Sequence, residues 1–277
     1  MSSPYVTKNQ HDTQKVCGFT LRTDPVREEA FTVVHRDVDM HEYTGYSDVA
    51  RRERLHRHMN NEIGGIEIAA QMLVDFPDAP WELRMELARQ TWDETRHVQV
   101  LYRRLQQLGG YKGEFPVSNF EWCVTGALEH IAARLAVQNR TLEAGQMDIL
   151  GKITTSWREA GDDETAQMLE GILADEIQHV RFANQWIRRM VDEDRRTLLQ
   201  VARGMMYLHD ANDALAPAPG EVNKVGTAVV NPNSNTFDVN VVDRRIADFT
   251  DEEIAEVLRQ SGFRSIVPGD DAREMAQ

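Results

Sequence analysis

The feature that most limits what this chain can fold into is a duplicated hexapeptide. Asp93-Glu94-Thr95-Arg96-His97-Val98 and Asp175-Glu176-Ile177-Gln178-His179-Val180 agree at four of six positions and lie 82 residues apart. One more glutamate precedes each copy at nearly the same distance, Glu62 by 32 residues before Glu94 and Glu143 by 33 before Glu176. A one-residue difference in loop length reconciles the two spacings. Two segments of one design predict two antiparallel helical hairpins packed about a pseudo-two-fold axis.

The surrounding pattern is helical. Leu55, Met59, Glu62, Ile66, Ala69 and Leu73 recur at alternating spacings of 4 and 3, a buried seam with one carboxylate in its middle. Leu83, Leu87, Glu94, Leu101, Leu105 and Leu108 form a second seam that carries His97. Leu169, Ile172, Glu176, Ala183, Ile187 and Met190 form another, with His179. Ala132, Ala136, Asn139, Glu143, Leu150 and Trp157 share a less regular face. Asp78-Ala79-Pro80, Gly109-Gly110 and Gly161-Asp162-Asp163 divide the block into helices at about 53–75 and 80–108, a long third helix after Ser118, and a fourth at about 163–191. A fifth helix is expected from Asp194 to Leu215.

This block, residues 51–215, is flanked by two different segments. Residues 1–50 read as an irregular arm with one short strand near Phe31–Val34. Residues 216–277 read as an extension with two short strands, Val225–Val230 and Phe237–Val242, and a last helix capped by Thr250 and ending before Gly262. The tail beyond Pro268 is expected to fray. The class is all-α.

Four glutamates and two histidines therefore point into one apolar core. Buried unpaired carboxylates cost several kcal/mol or change protonation state, and four anions side by side repel. Two divalent cations resolve the conflict, since +4 neutralises −4. A fully satisfied polar network without metal is the plainer reading, but networks of that size are seldom satisfied. Glu53-Arg54-Leu55-His56 has the same Glu-x-x-His spacing and supplies a control. At about 100° per residue it turns away from Glu62, so it is expected to be a surface pair. Glu129 shares a face with Glu143 but sits about 21 Å along the axis; with His130 it reads as a polar contact elsewhere or part of a substrate channel. Gly64, Gly65 and Gly145 beside the glutamates suggest room for a substrate, a π-bulge or close helix packing. The tryptophans and Met205-Met206 read as core.

Composition narrows the function. A net charge of −14 disfavours a nucleic-acid partner; the Arg51-Arg52, Arg103-Arg104 and Arg188-Arg189 pairs read as solvated helix faces. No apolar run is long enough to span a bilayer, and the polar start of the chain lacks a signal-peptide pattern, so a cytoplasmic protein is expected. Cys17 and Cys123 belong to no Cys/His cluster, which excludes a zinc ribbon or a rubredoxin-type iron centre. Carboxylates and imidazoles without thiolate favour iron or manganese.

The six residues resemble the ligand set of the ferritin-like di-iron carboxylate proteins, and the resemblance implies a ferritin-like four-helix bundle. It further implies that Glu62 and His97 serve one metal, Glu143 and His179 the other, while Glu94 and Glu176 bridge. Asp175 would orient His97 and Asp93 would orient His179, the alternative being that both aspartates are surface charges. The stretches Asp78-Ala79-Pro80-Trp81-Glu82-Leu83 through Gly110, and Ile172-Leu173-Ala174-Asp175-Glu176 through Trp186, are similar to an uncharacterised ferritin-like family distantly related to the tRNA-modifying hydroxylase MiaE. The similarity covers roughly residues 50–215.

The function expected from this resemblance is an O₂-activating non-haem di-iron oxygenase or oxidase acting on a small organic substrate, with no residue singled out as catalytic beyond the metal ligands. A ferroxidase or other iron-handling protein, or a manganese catalase, is the alternative. A radical-forming reductase subunit fits poorly, because the tyrosine it would carry four residues after the second-helix histidine is Leu101 here. With no electron-transfer module in the chain, electrons would come from an external reductase, a ferredoxin or the substrate. The two flanking segments are left to wrap the helices, cap a pocket or mediate homodimerisation.

Overall fold

The computed structural model describes residues 3–234 and 237–261, so the expected fraying beyond Pro268 lies outside the described residues. Long helices dominate: α1 (Asp48–Asp75), α2 (Trp81–Gln107), α5 (Ala144–Glu159), α6 (Asp163–Glu193) and α7 (Thr197–Leu215). α1 packs along α2, α5 along α6, and α2 meets α6. Boundaries follow local chemistry. Ser47 caps α1 and Asp162 caps α6 by accepting from backbone N–H groups three residues on. Gly109, at φ 81°, ends α2, and the N–H of Gly110 returns to the Leu105 carbonyl.

The expected long third helix is instead broken into pieces. α3 (Phe120–Thr125) stops, the chain turns, and α4 (Ile131–Val137) resumes, with His130 Nδ1 accepting from the N–H of Ala132. Gln138–Glu143 then forms a π-helical segment before α5. His130 therefore works as a helix cap, and the carbonyl of exposed Glu129 accepts from Thr7 of the N-terminal arm. Both belong to local structure away from the carboxylate cluster.

The arm is more ordered than its sequence pattern implies. β1 (Thr13–Val16) and β2 (Phe19–Arg22) form an antiparallel hairpin around Cys17-Gly18, both at positive φ as a two-residue hairpin turn requires. β3 (Val33–Val34), at the expected place, pairs in parallel with β4 (Val117–Ser118). The C-terminal extension departs further: neither expected strand forms among the described residues. The polar stretch makes an isolated Val222–Ala228 bridge, and Val241–Ile246 is a helix, α8. α9 (Asp251–Gln260) carries the expected cap, elaborated into a capping box between Thr250 and Glu253.

Side-chain placement corrects two expectations. Trp122, Trp157 and Trp186 are buried, but Trp81, Trp92 and Met206 are exposed. Glu53 and His56 do turn away from Glu62, yet both are buried. The arm and the loop after α2 cover that side of α1. His56 Nε2 accepts from the N–H of Gly113 between the rings of Phe31 and Phe115, and burial lowers its pKa to about 4. A helical wheel gives direction, not what covers that direction. Among the described residues no helix is long and apolar enough to cross a membrane.

The extension is tied to α5 by a buried ion pair. Arg244 of α8 places Nε 3.0 Å from Asp148 Oδ1 and an Nη 2.5 Å from Oδ2. Replacing Arg244 by Met should cost about 3 kcal/mol, because it strands a buried carboxylate. Urea unfolding followed by circular dichroism measures this; a loss below about 1 kcal/mol would show that Asp148 finds other partners.

Candidate metal centre

Each of the six candidate residues comes from the helix expected to carry it, and the fold brings all six together. Glu62 of α1, Glu94 and His97 of α2, Glu143 at the end of the π-helical segment, and Glu176 and His179 of α6 are each at most 4% exposed. Glu62, Glu94, His97 and Glu176 offer ligand atoms all within 4.8 Å of one another, and so do Glu94, Glu143, Glu176 and His179. Glu94 and Glu176 belong to both groups.

The histidines are held by their outer nitrogens. His97 turns Nδ1 toward the cluster, 3.0 Å from Glu62 Oε2 and 3.2 Å from Glu94 Oε2, and sets Nε2 3.1 Å from Asp175 Oδ2. His179 mirrors it, with Nδ1 3.4 Å from Glu94 Oε1 and Nε2 3.4 Å from Asp93 Oδ2. The aspartates thus reach across between α2 and α6, as the resemblance implies. Arg96 joins them by donating to both Asp93 and Asp175.

Three neighbours were not evident from the repeat. Gln90 Nε2 donates to Glu143 Oε1 at 2.6 Å and to Glu94 Oε1 at 3.2 Å. Asn139 Nδ2 donates to Glu143 Oε2 at 2.9 Å. His58 Nε2 lies 2.7 Å from Glu62 Oε1. Gln90 and His58 sit one helical turn before Glu94 and Glu62, and Asn139 one turn before Glu143, so an i−4 search from each glutamate would have found them. The sequence alone does not say which i−4 residue faces inward.

Gly65 has a specific role. A Cβ there would stand 2.8 Å from Glu94 Cδ and 2.9 Å from its Oε1, whereas Gly64 and Gly145 meet nothing. A larger residue there would push the Glu94 carboxyl from its present position.

The electrostatics are those of a crowded, buried acidic cluster that could hold a metal ion. Burial, with the charges of Glu176 and Glu62, pushes the Glu94 carboxyl well above its ordinary range, and burial with Glu176 pushes Glu143 to about 8. Glu62 goes the other way: hydrogen bonds from His58 and His97 outweigh its burial and hold it well below. Burial opposes charge on His97, but Glu62 and Glu94 raise it to about 11; Glu176 and Asp93 likewise raise His179. Without metal the cluster therefore stores protons. Glu176 Oε2 and His179 Nδ1 are buried and make no hydrogen bond. Hard oxygen donors, two inward nitrogens, orphaned lone pairs and a duplicated four-atom geometry fit a pair of divalent cations.

The chain belongs to the family DUF455, described as a protein of unknown function, whose match spans residues 5–255. No curated protein matches the chain. No solved structure matches it either.

Two outcomes are expected. Gly65→Ala should displace the Glu94 carboxyl and lower metal content, measured by elemental analysis, while leaving the helical circular-dichroism signal unchanged; a full metal complement would show that the helices simply separate. A cation must also displace the proton that Glu143 carries below about pH 8 and the histidine protons. Apparent affinity should therefore rise with pH from 6 to 8, about tenfold per unit for each proton displaced, in competition with a chromophoric chelator. A flat profile would mean the cluster is already ionised.

Proposed function

We propose that this chain is a ferritin-like di-metal carboxylate protein and, within that class, an O₂-activating non-haem di-iron oxygenase or oxidase acting on a small organic substrate. One observation carries the reading: two four-residue ligand sets share Glu94 and Glu176 and take one further carboxylate and one histidine each. Two antiparallel hairpins supply these residues in the arrangement of di-iron and di-manganese bundles, a Glu from each of two helices plus Glu-x-x-His from each of the others. Glu62 and His97 would hold one ion, Glu143 and His179 the second, and Glu94 with Glu176 would bridge.

Bound reduced iron supplies electrons to O₂ and so the oxidising power that the side chains lack. The chain's own residues prepare and protect that chemistry. Asp175 and Asp93 accept from Nε2–H of His97 and His179, which fixes the tautomer that leaves Nδ1 free to bind metal. Gln90 and Asn139 donate to both oxygens of Glu143 and orient it without adding charge. The π-helical segment widens the helix next to Glu143, an irregularity that often marks function. Buried leucines and alanines one or two turns from the ligands, such as Leu87, Leu101, Ala136 and Ala183, surround the cluster with apolar side chains.

Iron analysis and anaerobic Fe(II) loading, followed by stopped-flow absorbance on mixing with O₂, test the reading. Two irons per chain and a transient visible band are expected. Two manganese ions instead, or iron that does not react with O₂, would favour catalase or iron handling and overturn the oxygenase assignment. Glu94→Ala and Glu176→Ala should each abolish two-metal binding, whereas Glu53→Gln and His56→Gln should leave metal content unchanged. Full stoichiometry in either alanine variant would refute bridging.

A further inference from the structure

A cavity of about 340 Å³ lies near the cluster, lined by residues of α1, α3 and the π-helical segment but by none of the six candidate ligands. That volume is at the small end of pockets that hold organic ligands. Asn61 and Leu142, the sequence neighbours of Glu62 and Glu143, line it, and Glu121 in its wall is near enough to feel the charges of Glu62 and Glu176. Phe120 and Leu215 supply apolar wall, and the N-terminal arm closes the outer end with Arg36.

The polar groups of this cavity are unequal. Both arginines that reach it are already partnered: Arg36 pairs with Glu221, and Arg57 with Glu53 and Glu42. Glu121, which lines the inner part, is not. Its Oε2 accepts from the neutral amide of Gln138 at 3.1 Å, and among the described residues no Lys, Arg or His stands within ion-pair distance. Gln138 is itself held, because its carbonyl oxygen accepts from Thr125. Asn60 lines the same wall at 3% exposure; its Nδ2 donates to the Ser118 carbonyl, and its Oδ1 receives no donor. The cavity therefore presents a carboxylate without a counter-charge, and Asn60 Oδ1, buried in the same wall, receives no donor. Burial, with the charges of Glu62 and Glu176, pushes the Glu121 carboxyl to about 7, as expected for an enclosed acid without a counter-charge.

We propose that this cavity is the substrate site and that it selects a small organic amine, whose ammonium group pairs with Glu121 while its carbon skeleton lies against Phe120, Leu142 and Leu215. An ammonium supplies what the site lacks: a positive charge and several N–H donors in one group. A carboxylate ligand would meet Glu121 as a like charge, and a simple alcohol would leave it unneutralised. The inference rests on the metal-centre reading only for calling the amine a substrate; the binding stands on the cavity alone.

The test uses n-hexylamine as probe, with hexanoate and 1-hexanol as matched controls, titrated calorimetrically into the full chain with and without bound metal. The amine should bind at least tenfold more tightly than either control. Glu121→Gln, which keeps shape and removes charge, should lose at least tenfold of that affinity and keep its metal content. Glu121→Asp should recover part of it. Ala216→Trp, a substitution at a half-buried position in the cavity mouth, should block binding with Glu121 intact. Hexanoate binding as well as the amine, or amine affinity unchanged in Glu121→Gln and Ala216→Trp, would overturn the proposal even if two metals bind normally. If the chain binds no metal but shows Glu121-dependent amine affinity, the cavity assignment holds and the di-metal reading fails.

Discussion

The constraint on which the rest of the structure depends is the burial of four carboxylates in a helical core. In an apolar interior each would be unstable as an unpaired anion, and the structure meets this difficulty in layers. His97 and His179 stand between the glutamates; Asp93, Asp175 and Arg96 hold the histidines from outside; Gln90 and Asn139 hold Glu143. Even so, Glu176 Oε2 and His179 Nδ1 stand 3.5 Å apart and make no well-formed hydrogen bond. An arrangement that leaves buried polar atoms unsatisfied, in two groups that could each hold a metal ion, is a reason to read the cluster as a site and not as a structural ion-pair network.

The departures from regular helix occur where this cluster needs them. α1 has a glycine where the Glu94 carboxyl comes closest, and the helix bearing Glu143 widens into a π turn immediately before it. Both features cost helix stability. The π segment also presents Leu142 to the neighbouring cavity, so one irregularity shapes both the cluster and the space beside it. The flanking segments close that space from outside: the arm contributes Arg36, and the chain after α7 contributes Ala216 and Pro217. Asn223 and Lys224 bond to the backbone of Glu42 and Met40, joining arm to extension over the cavity.

What was legible in the sequence had a period or a repeat. The duplicated hexapeptides and their upstream glutamates identify all six cluster residues, because helical geometry converts spacing into direction. The Asp93–His179 and Asp175–His97 pairs were expected from the resemblance, not from spacing. Helix ends at Gly109, Asp162 and Thr250 were readable from capping chemistry. The broken third helix was not, because its apolar face continues through the break and nothing in residues 126–130 announces a stop as strongly as proline would.

Other features belong to the tertiary structure alone. Glu53 and His56 share the Glu-x-x-His spacing and face away from the cluster, yet they are buried, because the arm and the Gly113 loop fold over them. Glu121 carries no sequence signal; its isolation depends on which residues fail to reach it. Local periodicity encodes which way a side chain points relative to its own helix, since both are set by bonds a few residues apart. What lies opposite that side chain is decided by segments distant in sequence, and the chain pattern of either segment alone does not contain it.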